Sequence, residues 1–92
     1  MTNTDPKVTS VTLYYFAAAS EAMGRSEETV AVPSGASLAA VIDTITETRP
    51  EACRVLNICA LLVDGVASRD RSVPLPNANS LRVDVLPPFA GG

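Results

Sequence analysis

The sequence contains no histidine, no tryptophan and only one lysine, Lys7, in 92 residues. The missing histidine excludes every mechanism in which this chain itself supplies an imidazole base. Cysteine is also scarce, with Cys53 and Cys59 alone. Two cysteines cannot supply the four ligands of a two-iron cluster, and without histidine they do not favour a zinc site. We therefore expect two ordinary buried thiols and no metal.

Long apolar runs and excess positive charge are missing as well. Apolar stretches such as residues 58–63 fall far short of the roughly 18–20 residues that a helix needs to cross a bilayer. The first seven residues are polar and hold no apolar signal core. The net charge of −3 gives no electrostatic reason to bind nucleic acid and suits a basic partner. These features predict a cytoplasmic protein that binds neither membrane nor nucleic acid.

The composition favours a single folded unit. Hydrophobic residues make up 47% of the chain, which is enough for one globular domain. We predict a flexible N-terminal segment at residues 1–7, a folded domain at 8–86 and a functional C-terminal tail at 87–92. The last boundary follows from Pro87 and Pro88, because proline has no N–H to donate to a β-ladder.

Strands are predicted where apolar residues alternate or where β-branched and aromatic residues cluster. The first predicted strand, at residues 8–16, is apolar on both faces, which is typical of a central strand covered on both sides. The others are predicted at 28–32, 58–63, 66–67 (after the tight Asp64-Gly65 turn) and 81–85.

One amphipathic helix is predicted between the second and third strands. Ser37 is a suitable N-cap, and apolar residues follow at i, i+3, i+4 and i+7 from Leu38 to Ile45. Pro50 ends this helix, since the residue before a proline disfavours helical angles. Residues 17–23 are predicted as a short turn or a single helical turn. One helix on one face of a mixed sheet makes an α+β domain, and with the first and last strands adjacent and parallel this is the β-grasp.

The end of the chain, LPPFAGG at residues 86–92, combines a stiff base with a slender tip. Pro87 and Pro88 favour an extended polyproline exit from the sheet. Phe89 offers one apolar anchor before the tip. We therefore interpret the tail as a probe that reaches into another protein.

The tip of this probe carries the predicted chemistry. Ala90, Gly91 and Gly92 have almost no side chain, so they can thread a narrow channel. A terminal carboxylate on Gly92 is ionised and unreactive at neutral pH. Joining it to a nucleotide makes a reactive acyl-adenylate, which a sulfur donor can convert to a thiocarboxylate. The sequence therefore predicts that a partner enzyme activates Gly92 in its own active site.

Two segments of the chain resemble a known family. The first is VTLYYFA at residues 11–17 with Glu21 and Gly24 following, similar to an opening strand that ends in Phe-Ala before a short helical turn. The second is the ending at residues 86–92, similar to a Pro-Pro-x-x-Gly-Gly terminus. On these segments the chain resembles MoaD, the small sulfur-carrying subunit of molybdopterin synthase, whose fold is the ubiquitin-like β-grasp.

This resemblance implies a non-catalytic, sulfur-donating subunit in molybdenum cofactor biosynthesis. A MoeB-type adenylyltransferase would consume ATP to adenylate Gly92, and a cysteine-desulfurase route would supply the sulfur donor for the thiocarboxylate. The tail would then enter a MoaE-type large subunit, within a heterotetramer of two small and two large subunits, and donate sulfur to cyclic pyranopterin monophosphate. Catalytic side chains would belong to the large subunit, and this chain would bind no cofactor.

The resemblance also implies an apolar partner-binding surface beside the tail. It maps to Phe16, Leu86 and Phe89, together with Pro87 and Pro88. Core packing is the alternative for Phe16 and Leu86, because large apolar residues are usually buried. Phe89 follows the two prolines outside the sheet, which favours an exposed binding role.

Two arginines, Arg69 and Arg71, fall in the polar loop at residues 68–80. Either of them can contact a nucleotide or an acidic partner. We expect a solvated loop instead, because exposed charges of this kind usually contribute little.

Other functions use the same fold and ending. Thiamine-type (ThiS) and cysteine-synthesis carriers also end in Gly-Gly, although Pro87 and Pro88 favour the MoaD type. Ala19 and Ser20 stand where many MoaD relatives carry a basic residue. A ubiquitin-like modifier would be attached through Gly92 to lysines of its targets, and a plain binding module would carry an inert tail.

Overall fold

The computed structural model describes residues 7–88, so the predicted segments at 1–6 and 89–92 lie outside the described residues. Within 7–88 the elements, in chain order, are β1 (Val8–Tyr15), α1 (Ala18–Met23), β2 (Glu27–Pro33), α2 (Leu38–Thr46), α3 (Ala52–Asn57), β3 (Ala60–Val63), β4 (Val66–Ala67) and β5 (Ser80–Leu86). No helix in this range is long and apolar enough to cross a membrane.

The strands form one mixed sheet in the order β2-β1-β5-β3-β4. β1 pairs antiparallel with β2 and parallel with β5, where Leu13 faces Val83 and Tyr15 faces Val85. The predicted β-grasp arrangement, with the first and last strands adjacent and parallel, is therefore confirmed. Because the two strands run in the same direction, the C-terminal ends of β1 and β5 lie side by side at the same end of the sheet.

The core lies on one face of this sheet. Thr9, Val11, Leu13 and Tyr15 of β1 are all buried there, and the last three belong to a single cluster that also contains residues of the three helices. The other face of β1 is half-buried along the strand, and Phe16, just beyond it, is exposed. The prediction that β1 is covered on both sides is thus wrong, because no helix among residues 7–88 packs on that second face.

Helix α2 begins as predicted and ends early. The Ser37 hydroxyl accepts a hydrogen bond from the Ala40 backbone N–H at 3.1 Å, which confirms the N-cap. The helix ends at Thr46 rather than at Pro50. Both Thr44 and Thr46 donate their hydroxyls to carbonyls one turn back, at 3.0 and 2.8 Å, and such back-bonding weakens a helix.

Helix α3 is absent from the sequence predictions, which placed a strand at residues 58–63. Ala52, Leu56 and Cys59 are buried at i, i+4 and i+7, which is one helix face continued through the terminal turn. Strand β3 consequently starts only at Ala60. Ile58 falls off the buried face and is 65% exposed.

The turn between β3 and β4 follows the prediction. Asp64 and Gly65 both have positive φ, at 49° and 86°, as a two-residue hairpin turn requires. Val63 and Val66 pair directly across it. The Asp64 carboxylate also accepts the Arg82 backbone N–H at 2.9 Å, which ties the turn to β5.

Arg71 connects the long loop to the helices, and the prediction of a solvated side chain is wrong for it. Its guanidinium donates to the carbonyls of Leu56 at 3.2 Å and Cys59 at 2.6 Å, at the end of α3. Its own carbonyl accepts the N–H of Ala39 in the first turn of α2. Arg71 is half-buried, so these contacts are partly shielded from water.

Replacing Arg71 by alanine is expected to destabilise the fold by about 1–3 kcal/mol, because two carbonyls lose a charged donor. Urea unfolding monitored by circular dichroism measures this change. Arg69→Ala is the matched control, since Arg69 is exposed in the same loop, and it should change the unfolding free energy by less than about 0.5 kcal/mol. Equal losses from both variants would contradict a structural role for the Arg71 contacts.

Candidate functional site

The predicted site falls partly inside the described residues. Phe16, Leu86, Pro87 and Pro88 are described, whereas Phe89, Ala90, Gly91 and Gly92 lie outside them. The threading and activation roles predicted for the last residues therefore stay predictions. The structure defines the position of the residues up to Pro88 that precede them.

Strand β5 delivers the tail to one end of the sheet. Val85 is fully buried, Leu86 and Pro87 are half-buried, and Pro88 is exposed. Burial thus decreases step by step from the last core residue to the exit. The core thus anchors the end of β5, and Pro87 and Pro88 follow at the surface of the domain.

Phe16 lies beside this exit. Its backbone N–H donates to the carbonyl of Val85 at 3.2 Å, next to the end of β5. The following residue, Ala17, has φ of 51°, which turns the chain away from the sheet. The Phe16 side chain is 42% exposed, so the alternative of ordinary core packing is wrong for it.

Ile58 is an exposed apolar residue that the sequence analysis did not predict. Ala60, two residues later, pairs with Leu86 across β3 and β5. The apolar stretch at 58–63 concealed this position, because it favoured a buried strand. The helical spacing of Ala52, Leu56 and Cys59 was the available signal, since it excludes Ile58 from the buried face.

The charged side chains of β5 are paired within the chain. Arg82 Nε contacts the Asp84 carboxylate at 3.1 Å, and the guanidinium also lies 4.2 Å from the centre of the Tyr14 ring. Such a cation over an aromatic face is held electrostatically. These two charges therefore already have partners on the open face of the sheet.

Tyr15 fixes the end of β1 from the core side. Its hydroxyl donates to Glu28 at 2.5 Å, and Glu28 also pairs with Arg25. Burial first, and then the hydrogen bond to Glu28, raise the pKa of Tyr15 above its ordinary value. The phenol is thus neutral at physiological pH and acts as a positioning group for the strand that leads to Phe16.

The two cysteines differ in their surroundings. Cys59 is buried, donates its thiol to the Val55 carbonyl at 3.1 Å, and has its pKa raised by burial. This environment favours the protonated thiol, which is a poor nucleophile. The prediction of buried thiols is confirmed for Cys59 and wrong for Cys53, which is only half-buried.

These features define a class of protein. The described residues form a ubiquitin-like β-grasp domain with a mixed five-stranded sheet, and its last strand leads into a C-terminal tail. A family model described as the ThiS family matches residues 13–92, which is most of the chain. The chain therefore belongs to the ThiS family of ThiS/MoaD-like, ubiquitin-like sulfur carriers.

Solved structures share this fold. SAMP1 from Haloferax volcanii is 23% identical, with a TM-score of 0.75, covering 90% of this chain and 99% of that one. A putative molybdopterin converting factor subunit 1 from Pyrococcus furiosus is 21% identical, with a TM-score of 0.73 and coverage of 88% and 99%. A complex of subunits 1 and 2 of molybdopterin-converting factor from Helicobacter pylori gives 17% identity, a TM-score of 0.62 and coverage of 91% and 100%.

At these identities the structural neighbours establish the fold alone. No curated protein matches the sequence. The family match confirms the predicted resemblance at the level of ThiS/MoaD-like carriers. The comparisons do not identify the pathway that the carrier serves.

Proposed function

We propose that this chain is the sulfur-carrier subunit of a molybdopterin synthase. The observation that carries the proposal is the ThiS-family match, which extends through Gly92. The Pyrococcus and Helicobacter neighbours, both named as parts of molybdopterin converting factor, support this choice of pathway. The exposed Phe16 and the Pro87-Pro88 exit support a docking surface beside a tail that enters a partner.

In the proposed cycle, partners perform the chemistry on Gly92. A MoeB-type adenylyltransferase joins the Gly92 carboxylate to the α-phosphorus of ATP and releases pyrophosphate. With sulfide as the donor, the C–O bond to AMP breaks, a C–S bond forms, and the products are the thiocarboxylate and AMP. A MoaE-type large subunit then transfers that sulfur to cyclic pyranopterin monophosphate, and water restores the carboxylate.

This division of labour suits the groups that the described residues offer. The Tyr15 phenol and the Cys59 thiol are both held in their protonated forms by burial. With no histidine in the chain, acid–base steps fall to the partner. A dithiolene contains two sulfur atoms, so its synthesis needs two thiocarboxylated tails. This number fits a heterotetramer of two small and two large subunits.

Intact mass spectrometry tests the proposal. After incubation with ATP, a MoeB-type enzyme and a sulfide source, the protein should gain about 16 Da, and peptide mapping should place the gain on Gly92 rather than on an oxidised Met or Cys. Omitting ATP is the control, because the adenylate cannot then form. An unmodified Gly92 after incubation with several such enzymes would contradict the proposal.

A second assay tests the pathway. The thiocarboxylated protein, mixed with a MoaE-type large subunit and cyclic pyranopterin monophosphate, should yield molybdopterin. Thiamine-type and cysteine-synthesis carriers share the activation step. If the thiocarboxylated protein yields no molybdopterin with a competent large subunit, the proposal would therefore shift to one of those pathways.

Protein modification is a second candidate, and the small archaeal modifier neighbours favour it. Gly92 would then be joined to lysines of target proteins, and trypsin, which cleaves after Arg82, would leave residues 83–92, ending in Gly-Gly, as the remnant on each lysine. Chains of this protein linked through its own lysine would have to use Lys7. Absence of such remnants from cells that make the protein would exclude this candidate.

A further inference from the structure

Ala17 adopts backbone angles that favour glycine. Its φ of 51° and ψ of −124° are close to those of the first central residue of a type II′ turn, a position that glycine mostly occupies. The carbonyl of Phe16 accepts the Ala19 N–H at 3.0 Å and closes this turn, which we call the Ala17 turn (residues 16–19). An alanine in this region is strained, because its Cβ crowds the backbone.

Packing in the core does not explain this strain. The side chains of Phe16, Ala17 and Ala18 are all exposed, and Ala17 is not part of the buried cluster. Glycine would lose no core contact there and would adopt the same angles freely. Strained residues persist where the surrounding structure over-determines them, and they cluster at functional sites. The strain at Ala17 therefore points to a role outside the core.

The residues that flank the strained position are fixed. Tyr15 is buried, and its hydroxyl donates to Glu28. Ala19, at the other end of the Ala17 turn, is fully buried. Opening of the turn can thus be confined to residues 16–18, without the loss of a core contact.

The Ala17 turn is joined to the base of the tail by a hydrogen bond. The Phe16 N–H donates to the carbonyl of Val85 at 3.2 Å, on the tail side of the β1–β5 pairs that end at Tyr15 and Val85. This distance is at the long end of the range for such bonds. Pro87 has no N–H with which to continue the ladder. Opening of the Ala17 turn therefore frees the Val85 carbonyl and the side of the tail base that faces β1.

We propose that the strain at Ala17 keeps a fraction of the molecules with the Ala17 turn open, and that a MoeB-type adenylyltransferase takes up the tail from this open form. Adenylation is the first step of the proposed function, on which this inference rests. In the open form the base of the tail is not bonded to Phe16, so its direction can adapt to the site of the enzyme. Ala17 is thus a positioning residue that acts through Phe16 and Val85 and takes no part in the chemistry on Gly92.

Ala17→Gly tests the inference, because glycine removes the strain and favours the closed turn. Strain of this kind amounts to roughly 5- to 150-fold in population, and the greater freedom of glycine in the open form offsets roughly 2- to 5-fold, so the open fraction should fall about tenfold. Hydrogen exchange of the Phe16 amide, followed by NMR, should slow by the same factor. The melting temperature should stay unchanged or rise by about a few degrees.

The kinetics of adenylation should change in parallel with the exchange rate. When only the open form binds, the apparent dissociation constant is the intrinsic constant divided by the open fraction. In a pyrophosphate-release assay with a MoeB-type enzyme, the Michaelis constant of Ala17→Gly should therefore rise about tenfold while kcat stays constant. Strain with a merely structural role would slow the exchange in this variant and leave the Michaelis constant unchanged.

Ala31→Gly is the matched control. It removes the same methyl group from an exposed position of β2, where the backbone is an extended strand. Glycine destabilises the interior of a strand, so the melting temperature should fall while the Michaelis constant stays within about twofold of the wild type. An equal rise of the Michaelis constant in both variants would overturn the inference.

Exchange of the Phe16 amide that is unchanged or faster in Ala17→Gly also overturns the inference. Slower exchange together with a wild-type Michaelis constant does the same, and in each of these cases the proposed function stands. If the enzyme does not adenylate the wild type, the proposed function fails, and the role of Ala17 in adenylation fails with it whatever the exchange rates.

Discussion

Deleting Gly91 and Gly92 is expected to abolish sulfur loading and to leave the fold unchanged. The shortened chain still ends in a carboxylate, now on Ala90, so the chemical group is retained. Its reach decreases by two residues, or about 7 Å. Every buried residue of the described core lies between Thr9 and Val85, so urea unfolding should agree with the wild type within about 0.5 kcal/mol. Intact mass spectrometry after incubation with ATP, a MoeB-type enzyme and sulfide measures loading.

A variant of unchanged length distinguishes the effect of tail length from the effect of side-chain size at the tip. Gly91→Val keeps the chain length and the Gly92 carboxylate but adds a branched side chain near the tip. If the tip threads a narrow channel, loading should be about 100-fold slower, because small displacements of a reacting group have effects of this size. Loading at the wild-type rate would show that length alone matters. Wild-type loading of the deletion variant would refute the carrier proposal itself.

The arrangement of β1 and β5 was predictable from sequence because both strands have strong local patterns. In β5, Leu81, Val83 and Val85 alternate with polar residues and are buried as expected. Residues that alternate in this way specify which side of a strand faces the core. The Asp64-Gly65 turn was equally clear, since its two positive φ angles need residues of this kind.

Helix α3 could not be recognised in the same way because its pattern merges with that of the next strand. Ile58 and Cys59 continue directly into the apolar residues of β3, so an apolar run concealed a change of periodicity. Short apolar runs do not distinguish helix from strand. Because helix α3 was not predicted, the exposure of Ile58 was not predicted either.

The role of Arg71 depends on contacts that are distant in sequence. Its partners, the carbonyls of Leu56 and Cys59, lie 15 and 12 residues earlier in the chain. Nothing in the composition of the loop distinguishes Arg71 from Arg69. Only the folded chain shows that one arginine closes the end of α3 while its neighbour is exposed.

Replacing Leu13 by alanine is expected to produce the largest loss of stability. Leu13 is fully buried at the centre of β1, between Glu28 of β2 and Val83 of β5. Truncating a buried leucine removes apolar contacts and leaves a cavity, at about 2–5 kcal/mol. Natural domains have a total stability of about 5–15 kcal/mol, so this loss is a large fraction of it. The midpoint of urea unfolding measures the loss.

The variants Val83→Ala and Val66→Ala make the same replacement at a buried and at an exposed position, so they separate the effect of burial from that of the replacement itself. Both replace valine by alanine, but Val83 is fully buried in β5 whereas Val66 is 69% exposed at the edge strand β4. Only the Val83 variant should lower the unfolding midpoint clearly. A wild-type midpoint for Leu13→Ala would contradict the assigned core. Under conditions where Leu13→Ala remains folded, sulfur loading of Gly92 should match the wild type, because the core holds β5 in place while the partner enzymes act on the tail.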